Sequence, residues 1–373
     1  MPIYLDNAAT SSPKPRTVVS AVRDAAVKYS ANPGRGGHSK ARLSGEMIYS
    51  VRSQTAEFFN APSAENVVFC ANCTTALNTA VQGTLSNCRV IISPFEHNAV
   101  VRPLAMLESR GVVCDIAEYC PDEDEQVRAF ERLIRHDTKA IVCTHASNVF
   151  GLIMPVEKLG RLCSDYGLYF IVDAAQTAGI EPIDVRRMKI GSLCVAAHKG
   201  LYAPVGAGLM ITDGVPDPLI YGGTGGDSRP KTQPQFLPDK FESGTLDVCS
   251  IAGIGAGLEF VKPRQAEISR REQRLIEKAE IALRKLSNVI TYTDRSAGSY
   301  VPVLSFNVKG LHSEQAAKQL DRQGICVRAG LHCAPLAHRT MNTLETGTVR
   351  AAVSAFTTEN EIDRFIYSVG NIK

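Results

Sequence analysis

A chain of 373 residues, 44% hydrophobic and 21% charged, buries a large core and is long enough to divide into two domains. Its formal net charge of +3 comes from scattered Lys and Arg, which excludes the clustered basic face of a nucleic-acid binder or of a protein held on an anionic membrane. No segment approaches the ~20 apolar residues of a membrane span, and Met1-Pro2-Ile3-Tyr4-Leu5-Asp6 lacks the basic-then-apolar order of a secretory signal, so a cytoplasmic protein is expected.

Short apolar runs with the length and Val/Ile/Cys content of buried strands recur at Asn66–Ala71, Arg89–Ser93, Lys139–Thr144, Tyr169–Asp173, Ser192–Ala197 and Ala207–Thr212. Helical spacing fills the gaps at Thr74–Leu85, Val101–Arg110, Glu125–Arg135 and Val156–Tyr166. Alternation of this kind predicts an α/β fold with a mostly parallel sheet covered by helices on both faces. The pattern changes after Pro263. Arg264–Leu286 reads as one long charged amphipathic helix, Val301–Val308 and Gly324–Arg328 as strands, and Ser313–Gln323 as a helix with Ser313 as cap and Gly324 as stop. Thr358-Glu359-Asn360-Glu361 is a capping box that opens a last helix through Val369. The expected division is an N-terminal segment, 1–15, a large domain, 16–262, and a smaller C-terminal α/β domain, 263–373.

The eleven cysteines are an odd number, and most, like Cys143 and Cys194, sit singly inside apolar runs, as buried thiols of a reducing compartment do. Cys70 and Cys73 form a C-x-x-C pair with no second pair or histidine motif beside it, so no metal site is predicted.

Ligands of an open parallel sheet bind at the carboxyl ends of its strands, and three such ends carry chemistry. After Asn66–Ala71, Cys73-Thr74-Thr75-Ala76 opens a helix whose free N–H groups and hydroxyls suit a phosphate; a threonine there also serves as an ordinary cap. Tyr169–Val172 ends on Asp173, with Gln176 three residues on; a buried carboxylate needs a cation or several donors, and a structural ion pair is the plain alternative. Ser192–Ala197 ends on His198-Lys199, held near the sheet edge by Gly200-Leu201-Tyr202-Ala203-Pro204. Phosphate donors, a buried carboxylate and a partly desolvated lysine together describe pyridoxal phosphate, with Lys199 as the Schiff-base lysine and Asp173 on the pyridine nitrogen.

Asp173-Ala174-Ala175-Gln176 followed by Ala197-His198-Lys199-Gly200 resembles the class V aminotransferase group of fold-type I pyridoxal-phosphate enzymes, and within it the cysteine desulfurases and selenocysteine lyases. The resemblance runs almost end to end, through Tyr4-Leu5-Asp6-Asn7-Ala8-Ala9, Arg35-Gly36-Gly37-His38, Glu96-His97-Asn98, Ser147-Asn148, Phe241-Glu242-Ser243-Gly244-Thr245, Arg328-Ala329-Gly330-Leu331-His332-Cys333-Ala334-Pro335 and Gly347-Thr348-Val349-Arg350. It implies that His97 stacks on the cofactor ring, that Gln176 bonds its phenolic oxygen, and that Thr74, Thr75 and His198 hold the phosphate. Thr245 is implied to reach in from a second subunit, hence a homodimer. Asn148, Arg350, Arg328 and His38 would form the substrate site, Arg350 through the substrate carboxylate. Cys333 would be the sulfur-accepting nucleophile on a short segment of the SufS-like type. The substrate is expected to be L-cysteine or L-selenocysteine and the acceptor a thiol or protein. An aminotransferase or β-lyase of the same group, or a cofactor-binding scaffold without turnover, are the rivals.

His332 and Arg328 are expected to raise the thiolate fraction of Cys333 as positive or donor groups. Two positions depart from the family's pattern: Ala196 stands where a hydroxyl residue is usual, and Cys73 where glycine is usual. A thiol at a helix N-terminus would have a lowered pKa and be reactive, but a small packing residue is the favoured reading of Cys73.

Overall fold

The computed structural model describes residues 2–34, 36–226, 229–295 and 298–372, so Arg35 of the Arg35–His38 run lies outside the described residues. Seven strands form the main sheet in the order Val67–Cys70, Gly208–Thr212, Ser192–Ala196, Tyr169–Asp173, Thr138–Thr144, Arg89–Ile92 and Val113–Ile116. Gly208–Thr212 runs antiparallel to both neighbours and every other pairing is parallel. Alternate residues feed two cores. Ile91, Ile141, Phe170, Val172 and Leu193 pack on one face, and Val90, Val142, Ile171, Cys194 and Met210 on the other. Burial on both faces is why these strands read as unbroken apolar runs.

The edge strand Val113–Ile116 escapes sequence reading because its outer side is open and Asp115 interrupts it; that carboxylate meets Arg89 of the neighbouring strand at 2.8 Å. Three helices are also not read from the sequence: Arg16–Lys28, Ser39–Phe58 and Val248–Val261. The last contains Gly253, Gly255 and Gly257, which disfavour a helix locally. Tertiary packing overrides this, because a Cβ at those positions would strike Pro204, Val51 and the Leu201 carbonyl.

A second, antiparallel sheet has the order Arg328–Gly330, Thr348–Ala352, Val303–Val308, Val289–Thr291. Helices Gln265–Arg284, Ser313–Arg322 and Glu359–Gly370 pack on it around Phe306, Leu320 and Phe365. The strand expected over Gly324–Arg328 is two pieces: Ile325–Cys326 pairs in parallel with Ile3–Tyr4, and Arg328–Gly330 joins the second sheet. The cap before Ser313 is also reassigned. His312 Nδ1 accepts from Glu314 N at 3.4 Å, and Ser313, the first helical residue, donates to the Thr346 carbonyl at 2.7 Å. Gly324, at φ +76°, ends that chain segment as expected, and the Thr358–Glu361 capping box forms.

Candidate active site

The carboxyl ends of Thr138–Thr144, Tyr169–Asp173 and Ser192–Ala196 face the second sheet across a cavity of about 440 Å³. Lys199, Asp173, His97, Gln176, His198, Thr74, Asn148, Arg328, Arg350 and Cys333 all line it.

Asp173 and Lys199 come together because their strands are neighbours, with Asp173 opposite Cys194. Asp173 is 4% exposed. Its Oδ1 accepts from Ala175 N at 2.9 Å and from the Cys73 thiol at 3.7 Å. Among the described residues no salt bridge holds it, which removes the structural ion pair as its role. Lys199 is half-buried; desolvation pulls its ammonium down and the Asp173 carboxylate opposes this. An amine so placed is readily deprotonated.

His97 caps the helix Asn98–Leu107, its Nδ1 accepting from Ala99 N at 3.0 Å. That bond puts the ring proton on Nε2, and burial lowers the pKa further, so the ring is neutral and fixed. Gln176 Nε2 donates to the Ala8 carbonyl at 3.1 Å. His198 Nδ1 meets Thr10 Oγ1 at 3.1 Å, and burial pushes this ring down to about 4.

At the phosphate-type turn, the cap of the helix Cys73–Thr84 is Asn72, whose side chain accepts from Thr75 N at 2.9 Å; neither threonine caps. Thr75 Oγ1 turns to Asn72 Oδ1 at 3.2 Å, and Thr75 does not line the cavity, whereas Thr74 does. Thr245 lies away from this chain's own cavity, with Asn32 Nδ2 3.3 Å from its hydroxyl, and lines a separate hollow with Thr75. His38 caps Ser39–Phe58 and also stays outside. Cys73 packs as a small buried residue: it is 8% exposed, and burial and the Asp173 charge raise its thiol well above the usual range, overwhelming the helix terminus.

On the opposite wall, Arg350 is 3% exposed. Its Nη1 donates to the Asn148 carbonyl at 2.8 Å and its Nη2 to Asp6 Oδ1 at 3.1 Å, while Nε is buried without a protein partner. Asp6 Oδ2 takes Arg328 Nε at 3.1 Å. Asn148 Nδ2 donates to the His332 carbonyl at 2.7 Å, and Asn98 N to the Cys333 carbonyl at 2.7 Å. These bonds pin a segment in which His332 and Cys333 both adopt left-handed conformations, φ +51° and +57°, a costly arrangement for side-chain-bearing residues. Of the eleven cysteines Cys333 alone is exposed.

The expectation that His332 is a positive neighbour is overturned. Burial and Arg350 push it down to about 2, and its Nε2 meets the Thr348 carbonyl at 3.0 Å, so the ring is neutral with an unpartnered Nδ1. Arg328 is left as the cation nearby. Sequence reasoning missed Asp6 as the link between the two arginines and Glu96 as a strap. Glu96, fully buried, takes Ser93 Oγ at 2.5 Å and Thr144 N at 2.6 Å and so fixes the strand end below the cavity. Asp6 stands in one of the runs that carry the family resemblance, but only the fold reveals its partners.

The family model described as aminotransferase class-V matches residues 3–365. A probable cysteine desulfurase of Methanothermobacter thermautotrophicus is 32% identical over 96% of this chain and 92% of its own length. One of Pyrococcus abyssi is 31% identical over 98% and 92%. The apo structure of a cysteine desulfurase from Thermococcus onnurineus superposes with a TM-score of 0.90 at 29% identity, covering 98% of this chain and 93% of that one. With the lysine, carboxylate and arginine of the cavity in place, this chain belongs to the class V aminotransferase family.

Proposed function

We propose that this protein is a pyridoxal-phosphate-dependent cysteine desulfurase that acts as a cytoplasmic homodimer, converting L-cysteine to L-alanine and taking the sulfur onto Cys333 as a persulfide. One observation carries the reading: the chain's single exposed thiol is pinned at the same cavity as a desolvated lysine, a buried carboxylate and a buried arginine with an unpartnered Nε.

The cavity's donor set fits the cofactor. Asp173 offers a carboxylate oriented by two donors, His97 a flat neutral ring, and Lys199 an amine for the aldehyde. Asn72 caps Thr75 N, and the N–H groups of Cys73 and Thr74 at the helix start remain for the phosphate. Ala196 offers no hydroxyl, so His198 and Thr74 carry the side-chain contacts from this subunit. Thr75 and Thr245 share a hollow outside the cavity, which supports a role for Thr245 toward a second subunit. The division into 1–15, 16–262 and 263–373 is proposed on the same fold; the first segment bridges both sheets' regions through Ile3–Tyr4 and Ser11.

Pyridoxal phosphate, when bound, supplies an electron sink for the bonds at the substrate's Cα. The chain's own groups do the rest. Arg350 binds the substrate carboxylate and sets its orientation, with Asn148 beside it. Lys199, whose ammonium desolvation pulls below its ordinary range, takes the Cα proton. Asp173 would hold the cofactor's pyridine nitrogen in its protonated form. Cys333 presents its sulfur to the substrate's, with Arg328 lining the same cavity. The persulfide passes to a thiol or protein acceptor.

L-selenocysteine fits the same residues, differing from L-cysteine by one atom. The test is an assay of the purified protein on both amino acids, measuring alanine together with sulfide or selenide. Alanine from neither overturns the proposal, and a keto acid or β-elimination product assigns the protein to the aminotransferase or β-lyase chemistry of the family.

A further inference from the structure

Part of the N-terminal stretch after Asp6 converges on one backbone atom beside the active site, the carbonyl oxygen of His198. Four donors converge on it: Ser11 N at 3.2 Å, Ser11 Oγ at 3.1 Å, Thr10 Oγ1 at 3.2 Å and the Lys14 ammonium at 2.8 Å. Lys14 Nζ also donates to Ser11 Oγ at 2.8 Å. A carbonyl oxygen has two lone pairs, so these donors compete, and the short charged bond prevails.

The donor that loses has somewhere else to go. Thr10 Oγ1 also lies 3.1 Å from the ring Nδ1 of His198. A hydroxyl has one proton. Spent on the carbonyl, it obliges Nδ1 to carry the ring proton and donate it to Thr10. Turned to Nδ1, it leaves the ring proton on Nε2.

We propose that Lys14 is a positioning residue that sets the tautomer of His198: with Ser11 it saturates the His198 carbonyl, turns the Thr10 hydroxyl to Nδ1, and leaves Nε2–H as a donor for the cofactor's phosphate. The proposal rests on the functional reading above, which gives His198 the phosphate. The ring lines the cavity, and among the described residues its Nε2 has no protein partner, whereas Lys14 itself stays outside the cavity. Burial, Lys199 and Lys14 together push His198 down to about 4, so the ring is neutral and has a single proton to place. Burial pulls Lys14 down to about 8, which keeps it charged through neutral pH.

The experiment is a long-range proton–nitrogen NMR spectrum of the pyridoxal-phosphate-loaded protein labelled at histidine, with His198 assigned by the signal lost in His198→Asn. The wild type is expected to carry the proton on Nε2. Lys14→Met moves it to Nδ1 and speeds cofactor release, read as loss of visible absorbance on dilution, about tenfold. Lys14→Arg, which restores a charged donor, returns both readouts to the wild-type values. If Lys14→Met does not fold, Lys14→Gln keeps a neutral donor in the same space and shifts the proton in the same direction by less. A yellow wild type with its His198 proton on Nδ1, or Lys14 variants whose proton stays on Nε2, overturns this proposal alone. A wild type that takes up no pyridoxal phosphate overturns it together with the functional reading.

Discussion

Asp6 Oδ1 holds Arg350 Nη2 at 3.1 Å, and it does so from the opposite end of the chain. The other carboxylate oxygen holds Arg328, whose side chain is 51% exposed against 3% for Arg350. One acid thus orients a buried cation and an exposed one. Arg350→Ala is expected to keep the cofactor's visible absorbance and lose substrate binding by roughly 1.5–3 kcal/mol. Asp6→Asn keeps the shape but loosens both arginines, raising KM for L-cysteine about tenfold and lowering Tm, because it leaves a buried guanidinium undercompensated. Unchanged KM and kcat in Arg350→Ala would make that arginine structural.

Lys199 is expected to be the residue that borohydride fixes to the cofactor, read by peptide mapping of the reduced yellow protein. Lys199→Ala removes that adduct and all turnover. An adduct mapped to any other lysine contradicts the assignment.

Cys333 separates sulfur transfer from the other chemistry of the family. Cofactor binding and removal of the Cα proton need Lys199 and Asp173, not the thiol. Cys333→Ala therefore still binds L-cysteine and gives spectral changes, yet forms neither enzyme persulfide nor alanine at a useful rate. Cys73→Gly leaves persulfide on Cys333 intact, since Cys73 is buried and its thiol stays protonated. Selenide is the better leaving group, so a Cys333→Ala protein that loses cysteine activity but keeps selenocysteine activity points to selenium as the cargo. Full cysteine activity in that variant refutes the mechanism.

Glu272 makes stability depend on pH. It is 1% exposed, Tyr202 OH meets its Oε1 at 3.3 Å, and its Oε2 has no partner. Burial raises the carboxyl from 4.5 to about 8. The folded state therefore favours the protonated form. This contribution is complete below the unfolded value and is lost as pH rises towards 8. Glu272→Gln, which cannot ionise, is expected to gain Tm relative to the wild type as pH goes from 5 to 8. Parallel Tm profiles for the two proteins count against it.

The strands were legible because burial on both faces left runs such as Tyr169–Asp173 and Ser192–Ala196 nearly free of polar residues, and Asp173 and Lys199 stood out where those runs stop. Local chemistry misled where burial outweighed it: His332 sits beside Cys333, but desolvation decides its protonation. Roles that depend on partners far along the chain were illegible. Nothing around Asp6 foretells Arg350, nothing around Lys14 foretells the His198 carbonyl, and the helix Val248–Val261 owes its glycines to neighbours that only the fold supplies.

The parallel pairing of Ile3–Tyr4 with Ile325–Cys326 has a consequence for biosynthesis. Translation runs at about 5–20 residues per second, so the first strand leaves the ribosome well before the segment that completes it. Ile3 and Leu5, both buried in the finished protein, spend that interval with their final neighbours unmade. A ribosome-bound chain that already contains the main sheet and Lys199 still lacks Cys333 and Arg350. On the proposed function, sulfur transfer through Cys333 is thus withheld from chains in which Ile325–Cys326 has yet to pair with Ile3–Tyr4.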